Sequence, residues 1–389
     1  MIQRITTNGM MNRYKTNLMK SYNTLATASE RVTTERNFNS YAENPTKAAQ
    51  AFQLRRNRWN VENQIANTKQ VVHKFQQAWD CLDDTYQDLG VKLGKYSALR
   101  ASNDADAGGR TALGQVLKGA AESVMQTMNA KYGQNFVFSG ADGERVPFEW
   151  GPNGEVMYRG MPVDVAVPTE AELADKTNPW QDIPDPNDPT KKKYQGYMDI
   201  VNSIENEHTF VDLGMGMKED NGQLIEASAF DTALNGADFI GYGHRTVTLN
   251  SGKEVMVPKN IISILNQMGD VYSACSPEDG SYSDTPITTA DGKQVSQEEM
   301  AEALEKALEA SLDDVHSKWI AHDTRSTFIE TNADRLDSLD DSLNEQITTI
   351  EDIDPADAIT ALMWAQYSYN AALRIGTNLL SQSLIDYMN

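Results

Sequence analysis

Cysteine is nearly absent. Cys81 and Cys275 are the only two in 389 residues, too few for a disulfide framework or a four-ligand zinc site. Cys81 falls inside a helical pattern, the setting of a packed thiol rather than a reactive one. Long apolar runs are also missing: none approaches the roughly 18 to 20 residues needed to cross a bilayer, and the opening Met1 to Thr7 lacks the apolar stretch of a secretory signal. By these rules alone the chain reads as cytosolic. Basic residues are outnumbered, Lys+Arg 34 against Asp+Glu 56, and the formal net charge of -22 repels nucleic-acid phosphates and anionic headgroups. The expected partners therefore include neither nucleic acid nor a membrane.

Catalytic and ligand-binding patterns are missing too. His73, His208, His244, His316 and His322 form no H-E-x-x-H pair, and the six-residue separation of His316 from His322 puts them on different helical faces, not at the i,i+4 spacing of a helical zinc site. Asn103 to Gly108 resembles a calcium loop only faintly, because Gln115 stands where the bidentate glutamate is required. Gly214 and Gly216 lack the G-K-[ST] of a phosphate loop. Met215 and Met217 suit an adaptable contact surface, and the acidic run Asp337 to Asp341 reads as a solvated helix face. No catalytic residue, cofactor or metal ligand is expected, and the chain is not expected to be an enzyme.

What is present is helical periodicity. Alternating steps of four and three residues from Val61 reach Ile65, Thr68, Val72, Phe75, Trp79, Leu82, Tyr86, Leu89, Leu93 and Tyr96. All but Thr68 are apolar or aromatic, which is a coiled-coil seam. A thinner seam, Met11, Tyr14, Leu18, Ser21, Leu25, Ala28 and Val32, opens the chain, and Asn37 to Asn44 interrupts it. Asn44-Pro45 reads as an N-cap followed by proline at the first helical position. A third helix is expected from Arg110 to Lys131, after a break at Gly108-Gly109.

The rhythm returns after Ser296 with Leu304, Leu308, Ser311, Val315, Ile329, Leu336, Leu339, Leu343, Ile350 and Ile353. Asp354-Pro355 then reads as a second cap and restart. The last helix carries Ile359, Leu362, Tyr369, Leu373, Gly376, Leu380, Leu384 and Tyr387. Between these helical regions, short β-prone runs alternate with turns. Asn250-Ser251-Gly252 lies between Val247 and Val255 as a hairpin turn, Asp291-Gly292 is another, and Asn178 to Lys193 reads as an exposed loop.

The expected fold is mainly α: long coiled-coil arms from both termini form a rod around a central β-rich (α+β) inserted domain. The expected segments are 1-44 and 354-389 as terminal arms, 45-140 and 299-353 as the two rod halves, and 141-298 as the insert. Each arm has an apolar seam that one helix cannot bury alone, so the two arms are expected to lie together.

This layout and several strings resemble the flagellin superfamily over roughly the first 140 and last 90 residues, the insert excluded. Arg4-Ile5-Thr6 is similar to the family's opening, and Thr33 to Arg55 to its turn and helix start, with Thr34, Phe38 and Ala42-Glu43-Asn44 as departures. Pro45 after Asn44, the Phe136-Val137-Phe138-Ser139-Gly140 string and the ending Leu379 to Tyr387 resemble the hook-associated branch more than filament flagellin.

The resemblance implies a rod-shaped, non-enzymatic subunit of an extracellular tubular polymer of the bacterial flagellum, exported without a cleaved signal through the flagellar type III apparatus. It implies as partners further copies of the chain in a ring, a preceding hook-associated protein, flagellin, and an export chaperone on the C-terminal segment. The expected assembly interface is Tyr14, Leu18, Leu25 and Val32 on the first arm with Leu362, Tyr369, Leu373, Leu380, Leu384 and Tyr387 on the last. Filament flagellin, or a secreted rod whose insert binds host or glycan ligands, are the alternatives.

Overall fold

The computed structural model describes residues 7–388 except 102–106, 176, 178, 187, 226–227, 277 and 279; the side chains of 7–8, 91–101, 107–108, 223 and 378–388 are also outside the description. Helices α1 (Thr7–Thr34), α2 (Pro45–Ala101) and α3 (Ala107–Met128) open the chain, and α8 (Gln297–Glu351) and α9 (Pro355–Met388) close it. Between them lie the short helices α4 (Glu170–Ala174), α5 (Gln195–Glu205), α6 (Gly236–Ile240) and α7 (Ile261–Ser273), with small antiparallel sheets. The chain is mainly α with a central region of small sheets, as its periodicity predicts. The contacts divide it into two compact units, one of residues 1–65 with 335–389 and one of residues 66–334.

The first unit contains α1, α9, the start of α2 and the end of α8. Both proline restarts occur at the expected residues. Asn44 Oδ1 accepts a hydrogen bond from the Lys47 amide at 3.1 Å, and Asp354 Oδ1 accepts one from the Ala356 amide at 2.8 Å, satisfying amides that a helix start leaves orphaned. The two helix breaks are stitched together. The Asn37 amide donates to Glu351 O at 2.6 Å and the Ile353 amide to Glu35 O at 3.1 Å, around an antiparallel bridge between Arg36 and Asp352.

Below this joint, Val61, Leu336 and Leu343 form a small apolar core flanked by Leu54 and Ile65. Leu339, expected in that seam, lies on the exposed side instead. The alternation from Leu336 to Leu343 passes through half-buried Asp340, whose carboxylate bonds Arg58 Nε at 3.0 Å. Asp340 is therefore an ion-pair partner inside a stretch expected to be uniformly solvated.

The second unit holds the larger core. α3 begins at Ala107, so Gly108 and Gly109 are helical rather than a break; it ends at Met128, and Lys131 belongs to a short strand paired with Asn135–Phe136. α3 crosses α7 where Gly114 meets Gly269: a Cβ on Gly114 would lie 2.8 Å from Gly269 O, so only two bare backbones fit that close. The Phe136 to Gly140 string is buried, Ser139–Gly140 pairs with Leu234–Asn235, and Tyr158 Oη donates to Phe138 O at 3.0 Å. The longest hairpin pairs His244–Thr248 with Glu254–Pro258 and sets Val247 opposite Val255; a second, Ile287–Thr288 with Gln294–Val295, turns at Asp291-Gly292. The described part of 178–193 holds a single 3-10 turn, Trp180–Asp182, and a bridge from Pro184 to Lys192.

Side chains of α2 and α8 tie this insert down through its backbone carbonyls. Lys74 Nζ donates to Thr232 O at 2.9 Å, Arg325 Nη2 to Asp231 O at 2.6 Å and Asn332 Nδ2 to Leu213 O at 2.7 Å. Arg325 also lies over the rings of Phe75 and Phe230, at 5.3 and 5.4 Å. His316 and His322, placed by spacing on different faces, both pack on α2, on Tyr86 and Phe75 respectively. The face α8 turns to α2 here is wide enough to include both.

Candidate assembly interface

α1 and α9 pair antiparallel along their length. Tyr22 meets Tyr369 with ring centroids 6.1 Å apart, and farther along Tyr14 lies over Gly376. A Cβ on Gly376 would stand 2.0 Å from Tyr14 Oη, so the glycine makes room for the ring. On α1 the less exposed positions are the expected seam: Met11, Tyr14, Leu18, Ser21, Leu25 and Val32 are half-buried and Ala28 is buried.

On α9 the residues turned toward α1 are mostly small. Ala358, Ala365 and Ala372 recur every seven residues, interleaved with Leu362, Tyr369 and Gly376, and all six are buried or half-buried. Small residues on one helix let the large residues of the other approach closely, which is ridge-into-groove packing. Ile359 and Leu373 are therefore outside this intrachain seam, 50% and 40% exposed. Counting by leucines and isoleucines overlooked the alanine heptad, which is legible in the sequence once alanine is admitted as a seam residue.

The opposite side of α9 also carries large apolar residues, set among the exposed polar side chains of Thr360, Asn370 and Arg374. Ile359, Met363, Trp364, Tyr367 and Ile375 are all at least half exposed. At about 100° per residue they project centrally opposite the Ala358 to Gly376 stripe. Large apolar side chains on the side away from α1 suit a second partner, and among the described residues of this unit only the α1 side is covered. Met10, Met19 and Tyr22 on α1, and Phe52 and Trp59 on α2, are likewise exposed. Among the described residues, more than half of the exposed large apolar side chains thus lie on the first unit, which holds under a third of the chain. Such concentration marks a contact surface. The sequence reading missed Met363, Trp364, Tyr367 and Ile375, although a helical wheel of α9 shows them on one side.

Of the expected interface residues, Tyr14, Leu18, Leu25, Val32, Leu362 and Tyr369 come together in the α1–α9 seam, and Leu373 lies at its edge. The side chains of Leu380, Leu384 and Tyr387 lie outside the described residues, as do Arg4, Ile5 and Thr6. Leu93 and Tyr96 of the long seam and Asn178 of the expected loop fall outside them too. Asn44 and Pro45 start α2, while Phe136, Phe138, Ser139 and Gly140 are core residues of the second unit.

Among the described residues no three His, Cys, Asp or Glu side chains are grouped to hold a metal, and no helix is long and apolar enough to cross a membrane. Cys81 and Cys275 are buried thiols, both pushed up in pKa chiefly by burial, which opposes thiolate chemistry.

No family model and no curated protein matches the chain. The solved structure of a candidate flagellar hook-associated protein from Vibrio parahaemolyticus is similar, with a TM-score of 0.50 and 11% identity over 80% of this chain and 100% of that one. At that identity the likeness is one of fold.

Proposed function

We propose that this chain is a structural subunit of the bacterial flagellum, the adaptor between a preceding hook-associated protein and the flagellin filament. The observation that carries the reading is α9, which spends one side on α1 and presents Ile359, Met363, Trp364, Tyr367 and Ile375 outward. In a tubular polymer, that outward side would be covered by neighbouring copies and by the adjoining proteins. The likeness of fold to a candidate hook-associated protein and the Asn44-Pro45 and Phe136 to Gly140 strings support the same reading.

On this reading 1-44 and 354-389 are assembly arms, 45-140 and 299-353 form the rod, and 141-298 is an outer domain. The subunit would be non-enzymatic, extracellular, exported without a cleaved signal, and held by a chaperone at its C-terminal segment before export. An adaptor joins two different neighbours, so its axial contacts need not repeat with themselves, whereas a filament subunit must be self-complementary to propagate.

The test uses two strains. In one lacking its own junction protein, this chain should restore filament attachment. In one lacking flagellin, it should leave hooks with short caps. Long filaments of this chain alone in the second strain would transfer the reading to filament flagellin.

A further inference from the structure

The second unit contains a cleft of about 260 Å³ among α5, α6 and α8 that the assembly reading does not use. Tyr197 of α5 and Tyr242 form one wall, their rings 5.7 Å apart, and Trp180 stands edge-on to Tyr197 at 5.7 Å. Lys259, Lys318, Asp238 and Asp314 line the remainder. In a chain of net charge -22, the charged lining of this cleft is balanced, Lys259 and Lys318 against Asp238 and Asp314, and Arg245, beside the cleft without lining it, reaches Asp314 as well.

Both carboxylates are already engaged. Arg245 Nη2 bonds Asp314 Oδ2 at 2.7 Å, and Lys318 Nζ is paired with Asp238. Lys259 is left over: among the described residues its ammonium has neither an ion pair nor a hydrogen bond, and its side chain is half-buried. Burial first, then repulsion from Arg245, with Lys318 adding less, holds it below the usual lysine range, and the pull of Asp314 offsets only part of this. A half-buried cation whose neighbouring carboxylate is already paired gains from an incoming anion.

The ligand's chemistry follows from this pairing. One positive charge, that of Lys259, is left unpaired, and Asp238 and Asp314 repel a dianion, so a monoanion fits and a phosphate dianion does not. The volume lies below the roughly 300 to 1,000 Å³ of sites for drug-sized ligands, so few carbons can enter, and the tyrosine wall covers them. We propose that this cleft binds a small carboxylate, either a free organic acid or the side-chain carboxylate of an acidic residue on a partner, with Lys259 as its counter-ion.

The test is calorimetric titration of the full chain at fixed ionic strength with three probes: butyrate, acetyl-glutamate-amide and uncharged butyramide. Saturable binding of at least one acid is expected, with none of butyramide, and the acid preferred tells free acid from side chain. Lys259→Gln should weaken binding at least tenfold, and Lys253→Gln, remote from the cleft, should leave it unchanged. Should Lys259→Gln fail to fold, the unaltered chain still decides: affinity should fall as rising pH deprotonates Lys259, below the pH at which an ordinary lysine titrates. No saturable binding of either acid, equal binding of butyramide, retention by a folded Lys259→Gln, or affinity flat across that pH range would each overturn the proposal.

Discussion

Trp364 offers the sharpest separation of assembly from folding. It is on the outward side of α9, 67% exposed, with Tyr367 edge-on to it at 6.4 Å. A fully buried aromatic side chain removes about 150 to 250 Å² from water, and two thirds of that remains available to a partner. At about 25 cal/mol per Å², covering it would contribute roughly 2.5 to 4 kcal/mol per contact. That corresponds to roughly a 60- to 1,000-fold change in contact affinity.

Trp364→Glu forfeits this term and adds the cost of a carboxylate in a desolvated contact. In the isolated chain the same position faces water, so the urea midpoint should move by no more than about 0.5 kcal/mol equivalent. The assay pairs that midpoint with the amount of chain retained at the hook in a strain lacking its own junction protein. Trp364→Phe should lose part of the retention and Trp364→Glu nearly all of it. Ile320→Glu, an exposed apolar position on α8 in the other unit, serves as control and should lose little. Full retention of Trp364→Glu, or its unfolding as an isolated chain, would sink the assignment of this side of α9 to assembly.

Three further outcomes are expected. Gly376→Val places side-chain atoms where Tyr14 Oη lies, an overpacking worth about 1 to 3 kcal/mol, so limited proteolysis should cut α1 faster while residues 66–334 stay intact. His322 is buried with Nε2–H donated to Phe75 O at 2.9 Å and Nδ1 without a partner; burial first, and Arg325 nearby, hold its pKa below the ordinary value. Protons therefore bind the unfolded state more readily, so stability should fall as pH drops through about 6.5, and His322→Asn should lose that component of the slope in urea titrations at several pH values.

Asp164 behaves in the opposite sense. Its Oδ1 is buried without a partner, and burial lifts its pKa to about 6. Its ionisation therefore costs stability as pH rises through that value, and Asp164→Asn should stabilise the chain by about 1 to 3 kcal/mol at pH 8 and by much less at pH 4. Equal effects at both pH values would refute the assignment.

The long helices and their restarts were legible because their causes are local. Asn44-Pro45 and Asp354-Pro355 each place an amide acceptor before a residue that needs no amide partner, and α2 and α9 begin at those prolines. The Val247 to Val255 pairing followed from alternation around a turn signal in the same way. Gly108-Gly109 misled, because a glycine pair weakens a helix without forbidding it, and the two fall inside the first turn of α3. Leu339 and Asp340 depart from the expected pattern because hydrophobicity alone does not mark a seam position: an aspartate paired with Arg58 occupies one, and Leu339 is exposed.

On the candidate interface the division is clear. The sequence by itself determined that both ends are helical, that each carries a seam, and that the α1 seam runs through Tyr14, Leu18, Leu25 and Val32, since a period of seven with few polar interruptions has no other stable use. Which side of α9 meets α1 was decided only by the tertiary structure. α9 carries large apolar residues on both sides, so periodicity offers two candidate sides, and the bulk of the opposing residues chooses between them. Tyr14 needs the space above Gly376 and the large α1 residues fit over alanines, which leaves Met363, Trp364 and Tyr367 outward because no hydrophobic count records the shape of a partner.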